Sequence, residues 1–78
     1  MHTIIWSNGH TDRAETWQGL MDLVRADQWR EYDEQTFRAE MAKRALIWNG
    51  TEIDMGAPPK RFFEELERAK LIQIERSK

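Results

Sequence analysis

Apolar residues along this chain change their period twice. Ile4, Ile5 and Trp6 are consecutive, β-prone and apolar, and they run into Ser7-Asn8-Gly9-His10. Asn-Gly suits the two-residue type I′ turn. The spacing therefore predicts a hairpin in which Ser7 faces His10, Trp6 faces Thr11, Ile5 faces Asp12, Ile4 faces Arg13 and His2 faces Glu15. The second strand, His10 to about Ala14, is polar and suits a sheet edge, where charge discourages aggregation. The first strand is apolar on both faces, which places it in the middle of a sheet.

From Thr16 the period becomes 3.6. Trp17, Leu20, Met21 and Val24 fall at i, i+3, i+4 and i+7 with Leu23 beside them, and Gln18, Asp22 and Arg25 lie opposite. Thr16 is the expected N-cap, and the helix is expected to end near Ala26 or Asp27, because Trp29 is far off the stripe. Trp29 and Tyr32 then belong to a connector. Asp33-Glu34-Gln35 is an acidic helix start, and a second stripe follows in Phe37, Met41, Ala45 and Trp48, widened by Ala42 and Leu46. Ile47 falls on the outer face, and Asn49-Gly50 supplies a left-handed C-cap.

Thr51 to Pro58 reads as a loop anchored by Ile53 and Met55. Proline in the first turn opens a third helix, with Phe62, Phe63, Leu66 and Ala69 as its buried stripe. Lys60–Glu64, Arg61–Glu65 and Glu64–Arg68 are i,i+4 pairs expected on its solvent side. Leu71 to Glu75 returns to a strand pattern and is expected beside the first strand, opposite the hairpin partner. The reading is an α+β fold in the order β-β-α-α-α-β: a small antiparallel sheet, made of the N-terminal hairpin plus a C-terminal strand, covered by three helices.

Composition sharpens this picture. Seventy-eight residues, 40% hydrophobic and 33% charged, suit one compact domain spanning 1–78. A chain this short buries only about 60% of its unfolded surface, and without cysteine it has no disulfide, so four tryptophans, three phenylalanines and one tyrosine must supply the core. Lack of cysteine also excludes thiolate metal sites and thiol catalysis, and it makes a reducing, cytoplasmic setting the expectation. No apolar run is long enough for a membrane span, and the N-terminus lacks the basic start of a signal peptide. Net charge is −2. Residues 1–40 hold four Lys/Arg against eight Asp/Glu, and residues 41–78 hold eight against six. Nucleic-acid binding would thus need a local basic patch.

The segment Phe62-Phe63-Glu64-Glu65-Leu66-Glu67-Arg68-Ala69-Lys70-Leu71-Ile72-Gln73-Ile74 resembles the third helix and following strand of winged-helix regulators, and Thr36 to Arg44 is similar to the helix before it. Lys70 stands where that pattern has glycine, and the stretch from Leu46 to Pro58 is longer than a helix-turn-helix turn. The resemblance implies a nucleic-acid-binding regulator. In composition, with eight Arg against four Lys and many Trp, Ala and Asp, the chain also looks like the small orphan proteins of actinobacterial phages, which implies neither a fold nor an activity.

Candidate chemistry is sparse. Ser7 and Ser77 have no nucleophile-elbow setting, and His2 and His10 are expected exposed and far apart on one sheet, forming neither a metal pair nor a base with an orienting partner. No glycine-rich phosphate loop occurs, so no catalytic residue, metal or cofactor is assigned. Two basic doublets, Lys43-Arg44 and Lys60-Arg61, with Trp48 near them in sequence, are the candidates for phosphate and base contact. Against them, the third helix's outer face carries Glu64, Glu65 and Glu67. Aromatic and apolar residues in the connectors or around the end of the second helix, Trp29, Tyr32, Ile47, Trp48 and Met55, are the candidates for a protein interface, since Trp, Tyr and Met concentrate there. Capping of a small core by connector aromatics is the plainer role for the same residues. The sequence thus favours a non-catalytic protein that binds another protein, with a winged-helix-like nucleic-acid binder as the alternative. It leaves self-association open.

Overall fold

A computed structural model describes residues 1–28 and 32–75, so the expectations placed on Trp29 lie outside the described residues. The elements are β1 (His2–Trp6), β2 (Thr11–Ala14), α1 (Trp17–Gln28), α2 (Glu34–Asn49), α3 (Pro59–Arg68) and β3 (Ile72–Glu75). The strands form one antiparallel sheet in the order β2-β1-β3. The apolar first strand is therefore central, flanked by its polar hairpin partner and by the C-terminal strand, and the fold is α+β in the expected order.

The hairpin register differs from the expected one by one residue. Ile4 pairs with Asp12 and Ile5 with Thr11, so His2 lies opposite Ala14 rather than Glu15. Asn8-Gly9 is not a two-residue loop. The Gly9 amide donates to the Trp6 carbonyl at 2.8 Å, the Trp6 amide donates to the His10 carbonyl at 2.7 Å, and Gly9 adopts φ +92°. This is the three-residue connection, a turn followed by a glycine in the left-handed region. A shift of one residue exchanges the two faces of a strand, and here it decides what enters the core. The helix-facing side of β2 carries Asp12 and Ala14 instead of Thr11 and Arg13. Asp12, only 4% exposed, accepts the Trp6 indole N–H at 2.8 Å, whereas the alternative register would turn the Arg13 guanidinium inward beside Ile4.

On the same sheet face lie Ile4, Ile72 and Ile74, all buried against Leu20, Met21 and Val24 of α1 and Phe62, Phe63 and Leu66 of α3. Thr16 caps α1 by accepting the Gly19 amide at 2.9 Å, and the helix continues to Gln28, slightly past its expected end. Asp33 caps α2 by accepting the Thr36 amide at 2.7 Å. That bond, with one from the Thr36 side chain and the nearby Arg25 charge, holds the Asp33 carboxyl below its ordinary value. At the other end Gly50, with φ +64°, turns the chain so that its own amide and that of Thr51 reach the Leu46 and Ala45 carbonyls.

The α2 stripe is shorter than its spacing predicts. Phe37, Met41 and Ala45 are buried, but Leu46 and Trp48 are exposed. Ala45 is the last position of the stripe that the core covers.

In α3 the expected solvent-side ladder is corrected at Glu65. Its Oε2 does lie 3.5 Å from Arg61 Nε, yet the residue is only 9% exposed. The chain between α2 and α3 folds over it, and Glu65 Oε1 accepts the Asp54 amide at 3.0 Å. Arg38 secures the same connection from α2. It is 8% exposed, lies 4.9 Å over the Phe62 ring, donates to the carbonyls of Met55 (3.0 Å) and Ala57, and pairs with Glu34 at 3.0 Å. The α3 helix ends with the Lys70 amide on the Glu67 carbonyl and the Leu71 amide on that of Leu66. Lys70 adopts φ +65°, the position and conformation that glycine favours in this C-cap. Among the described residues no helix is long and apolar enough to cross a membrane.

Candidate functional site

At the Trp6 end of the sheet, a cleft of about 100 Å³ opens between the hairpin and the last two turns of α2, lined by Trp6, Ser7, Asn8, Met41, Arg44, Trp48 and Leu71. Each wall has a local cause. Trp6 is the last residue of β1, and its indole is held by the bond to Asp12, whose other oxygen lies 3.2 Å from His10 Nε2. Leu71 sits at the α3–β3 junction, fixed by the left-handed turn at Lys70. Asn49, one residue past Trp48, donates its side-chain amide to the Ala69 carbonyl and ties the end of α2 to the end of α3. Trp48 projects from the last turn of α2, 62% exposed, with the Arg44 guanidinium 5.9 Å over its ring.

The structure separates the residues that the sequence grouped for a protein interface. Leu46, Ile47 and Trp48 are all exposed on the last turn of α2, Ile47 at 67%, pointing about 100° apart from one to the next. Met55 is exposed on the loop whose carbonyl Arg38 holds, and Arg38 precedes Trp48 by ten residues, about 15 Å along the helix. Tyr32 is half-buried, packs against the core, and borders a shallow depression with Asp22, Arg25 and Ala26. Trp29 lies outside the described residues.

Nor do the four cations considered for nucleic acid converge. Lys43 is exposed on α2 and Arg44 lies over Trp48 at the Trp6 end of β1. Lys60 lines a depression with His2, Trp17, Glu64 and Glu75 at the opposite end. Four residue steps of β1, about 13 Å, separate the two ends. Arg61 is paired with Glu65. Neither histidine is idle: half-buried His2 stacks on Trp17 at 4.0 Å between ring centroids, and His10, exposed as expected, meets Asp12 at 3.2 Å. Among the described residues no group of three acidic or imidazole side chains is placed to hold a metal ion.

Compared with family models, with curated proteins and with solved structures, the chain matches none.

The cleft was not legible in the sequence. Its walls come from four separate elements, and Trp6 and Met41 read there simply as core. The one available signal was Trp48 at the end of a stripe with a cation one turn earlier. Arg38, Asp12 and Glu65 were missed for a different reason: each is a charged side chain buried by a connection whose path the local pattern does not specify.

Proposed function

We propose that this chain is a small non-catalytic protein that acts by binding another protein through the Trp48 end of α2. The observation that carries the reading is Trp48 itself, a large aromatic that is 62% exposed beside a cleft walled by Trp6, Met41 and Leu71. Interfaces draw their energy from a few such anchors, Trp and Arg foremost, set next to pockets, and an exposed indole contributes little to the fold that presents it. The imidazoles support the same reading, since one ring is stacked on Trp17 and the other is directed to the carboxylate that holds Trp6. A nucleic-acid site would use a continuous basic stripe, and the separation of Arg44 from Lys60 argues against one.

The test places a photoreactive amino acid at position 47 in the full chain and irradiates it in the source cells. A protein adduct that forms with Trp48 present and disappears in Trp48→Ala, with the melting curve unchanged, is the expected result. Absence of an adduct, or one indifferent to Trp48, overturns the reading.

A further inference from the structure

Asn-Gly occurs twice in the chain, at Asn8-Gly9 in the hairpin and at Asn49-Gly50 where α2 ends. The pair carries chemistry as well as turn geometry, and asparagine is among the thermolabile residues for that reason. A glycine that follows asparagine has no side chain to hinder its backbone nitrogen, which can attack the asparagine side-chain carbonyl. The nitrogen gives its proton to a solvent base and bonds to Cγ, the Cγ–Nδ2 bond breaks, and the departing nitrogen takes a proton from water and leaves as ammonia. Water then opens the cyclic imide at either of its carbonyls, which leaves an aspartyl or an isoaspartyl residue. The only co-reactant is water.

Both glycine amides are engaged, Gly9 with the Trp6 carbonyl at 2.8 Å and Gly50 with the Leu46 carbonyl at 2.9 Å, so at either place attack waits for a local opening. The two openings give up different things. At Asn49 the side-chain nitrogen that would depart donates to the Ala69 carbonyl, which ties it to the end of α3. The Thr51 amide reaches the Ala45 carbonyl at 3.2 Å, and the Thr51 hydroxyl donates to the Asn49 carbonyl at 3.4 Å. The cap of α2 and the tie to α3 must therefore both come apart. Asn8 stands at the tip of a hairpin where Ser7, Asn8, Gly9 and His10 are all exposed, and there the turn alone has to open. The bond its side chain does make favours the reaction: the His10 backbone amide donates to Asn8 Oδ1 at 2.9 Å, folding the side chain back over the Gly9 and His10 peptide units. That distance falls within the about 2.7–3.1 Å at which a donor stabilises the oxyanion of an attacked carbonyl.

From this contrast we infer that Asn8 is a site of spontaneous deamidation in the folded chain and that Asn49 is spared. Asn8 lines the cleft together with Trp6 and Arg44, so either product places a new carboxylate on the cleft's wall. The isoaspartyl form also adds a methylene to the backbone of the short connection that sets the register of β2. The inference holds whatever the cleft binds.

The test ages the full chain in warm neutral buffer, once folded and once unfolded in urea, and follows both sites by tryptic digestion and mass spectrometry. Cleavage after Arg13, Arg44 and Lys60 puts the sites on separate peptides, residues 1–13 and 45–60, each with a single side-chain amide, so the mass gain of an amide-to-acid change identifies its own position. Chromatography of peptide 1–13 resolves the aspartyl from the isoaspartyl product. In the folded chain Asn8 is expected to convert about tenfold faster than Asn49, the rate equivalent of the additional hydrogen bonds that Asn49 must release. In urea the two rates should converge, because the cap and the tie are gone. Conversion of Asn49 at the pace of Asn8 in the folded chain overturns the inference, as does a folded chain in which peptide 1–13 stays intact while the unfolded one converts. A tenfold difference that persists in urea overturns it too, since the selectivity would then belong to the local sequence and not to the fold.

Discussion

The buried charges Arg38, Asp12 and Glu65 do for the connections what the aromatics do for the core. Each closes a seam with hydrogen bonds where the chain leaves regular structure: Arg38 and Glu65 from two sides of the 51–58 connection, and Asp12 under the hairpin. Arg38 has the most to lose. Its removal strands the Met55 and Ala57 carbonyls, leaves the Glu34 carboxylate with the Gln18 amide alone, and takes the guanidinium off the Phe62 ring. A buried group left without its partner costs about 1–3 kcal/mol, and a broken buried pair about 3–5. Glu34 keeps considerable solvent contact, which places the expected loss for Arg38→Ala at about 2–4 kcal/mol. Arg38→Met, which keeps the packing stem but not the donors, should recover only a minor part of it. Urea denaturation of both variants measures this, and a loss for Arg38→Ala within the ~0.5 kcal/mol of ordinary surface changes would show that the connection is held by other means.

At the scale of elements, the helices and strands were legible because each has a period and an end signal of its own. Thr16, Asp33 and Gly50 act as the caps their chemistry suggests, and Pro59 opens α3. What the periods did not specify was the relation between elements. Asn8-Gly9 is compatible with both a two-residue and a three-residue loop, and the three-residue one present here brings Asp12 to the Trp6 indole, a contact between strands. Trp48 continues the α2 stripe in projection, yet it is 62% exposed, because burial depends on which other elements reach that end of the helix. Lys70 shows the converse, a local rule broken in place: a lysine adopts φ +65° at the end of α3. The left-handed region costs a side-chain-bearing residue about 1–2 kcal/mol, while glycine pays about 0.5–1 kcal/mol in chain entropy. Lys70→Gly should therefore stabilise the fold by about 0.5–1 kcal/mol, read as a raised urea midpoint at unchanged slope. A lower midpoint would mean that the lysine side chain contributes more to the fold than its backbone strain costs.

For the whole molecule the decisive quantity is how little stability there is to share. In a chain of 78 residues without disulfides, a single core supplies only about 3–5 kcal/mol. Phe62 and Leu66 are fully buried, and Phe62 meets Phe37, Phe63 and Arg38 at once. Truncating such a side chain to alanine costs about 2–5 kcal/mol, comparable to the total. Phe62→Ala and Leu66→Ala are thus each expected to leave a large unfolded fraction at room temperature. Trp48 is larger than either, yet it is 62% exposed, and Trp48→Ala should stay within ~0.5 kcal/mol of the parent. Urea melts of the three variants side by side separate the residues that hold the fold from the one that the fold holds out. Losses below ~1 kcal/mol in both core variants would mean that α3 is not packed on the sheet, whereas a loss above ~2 kcal/mol in Trp48→Ala would make that indole part of the core and leave the cleft beside it without an anchor to offer a partner.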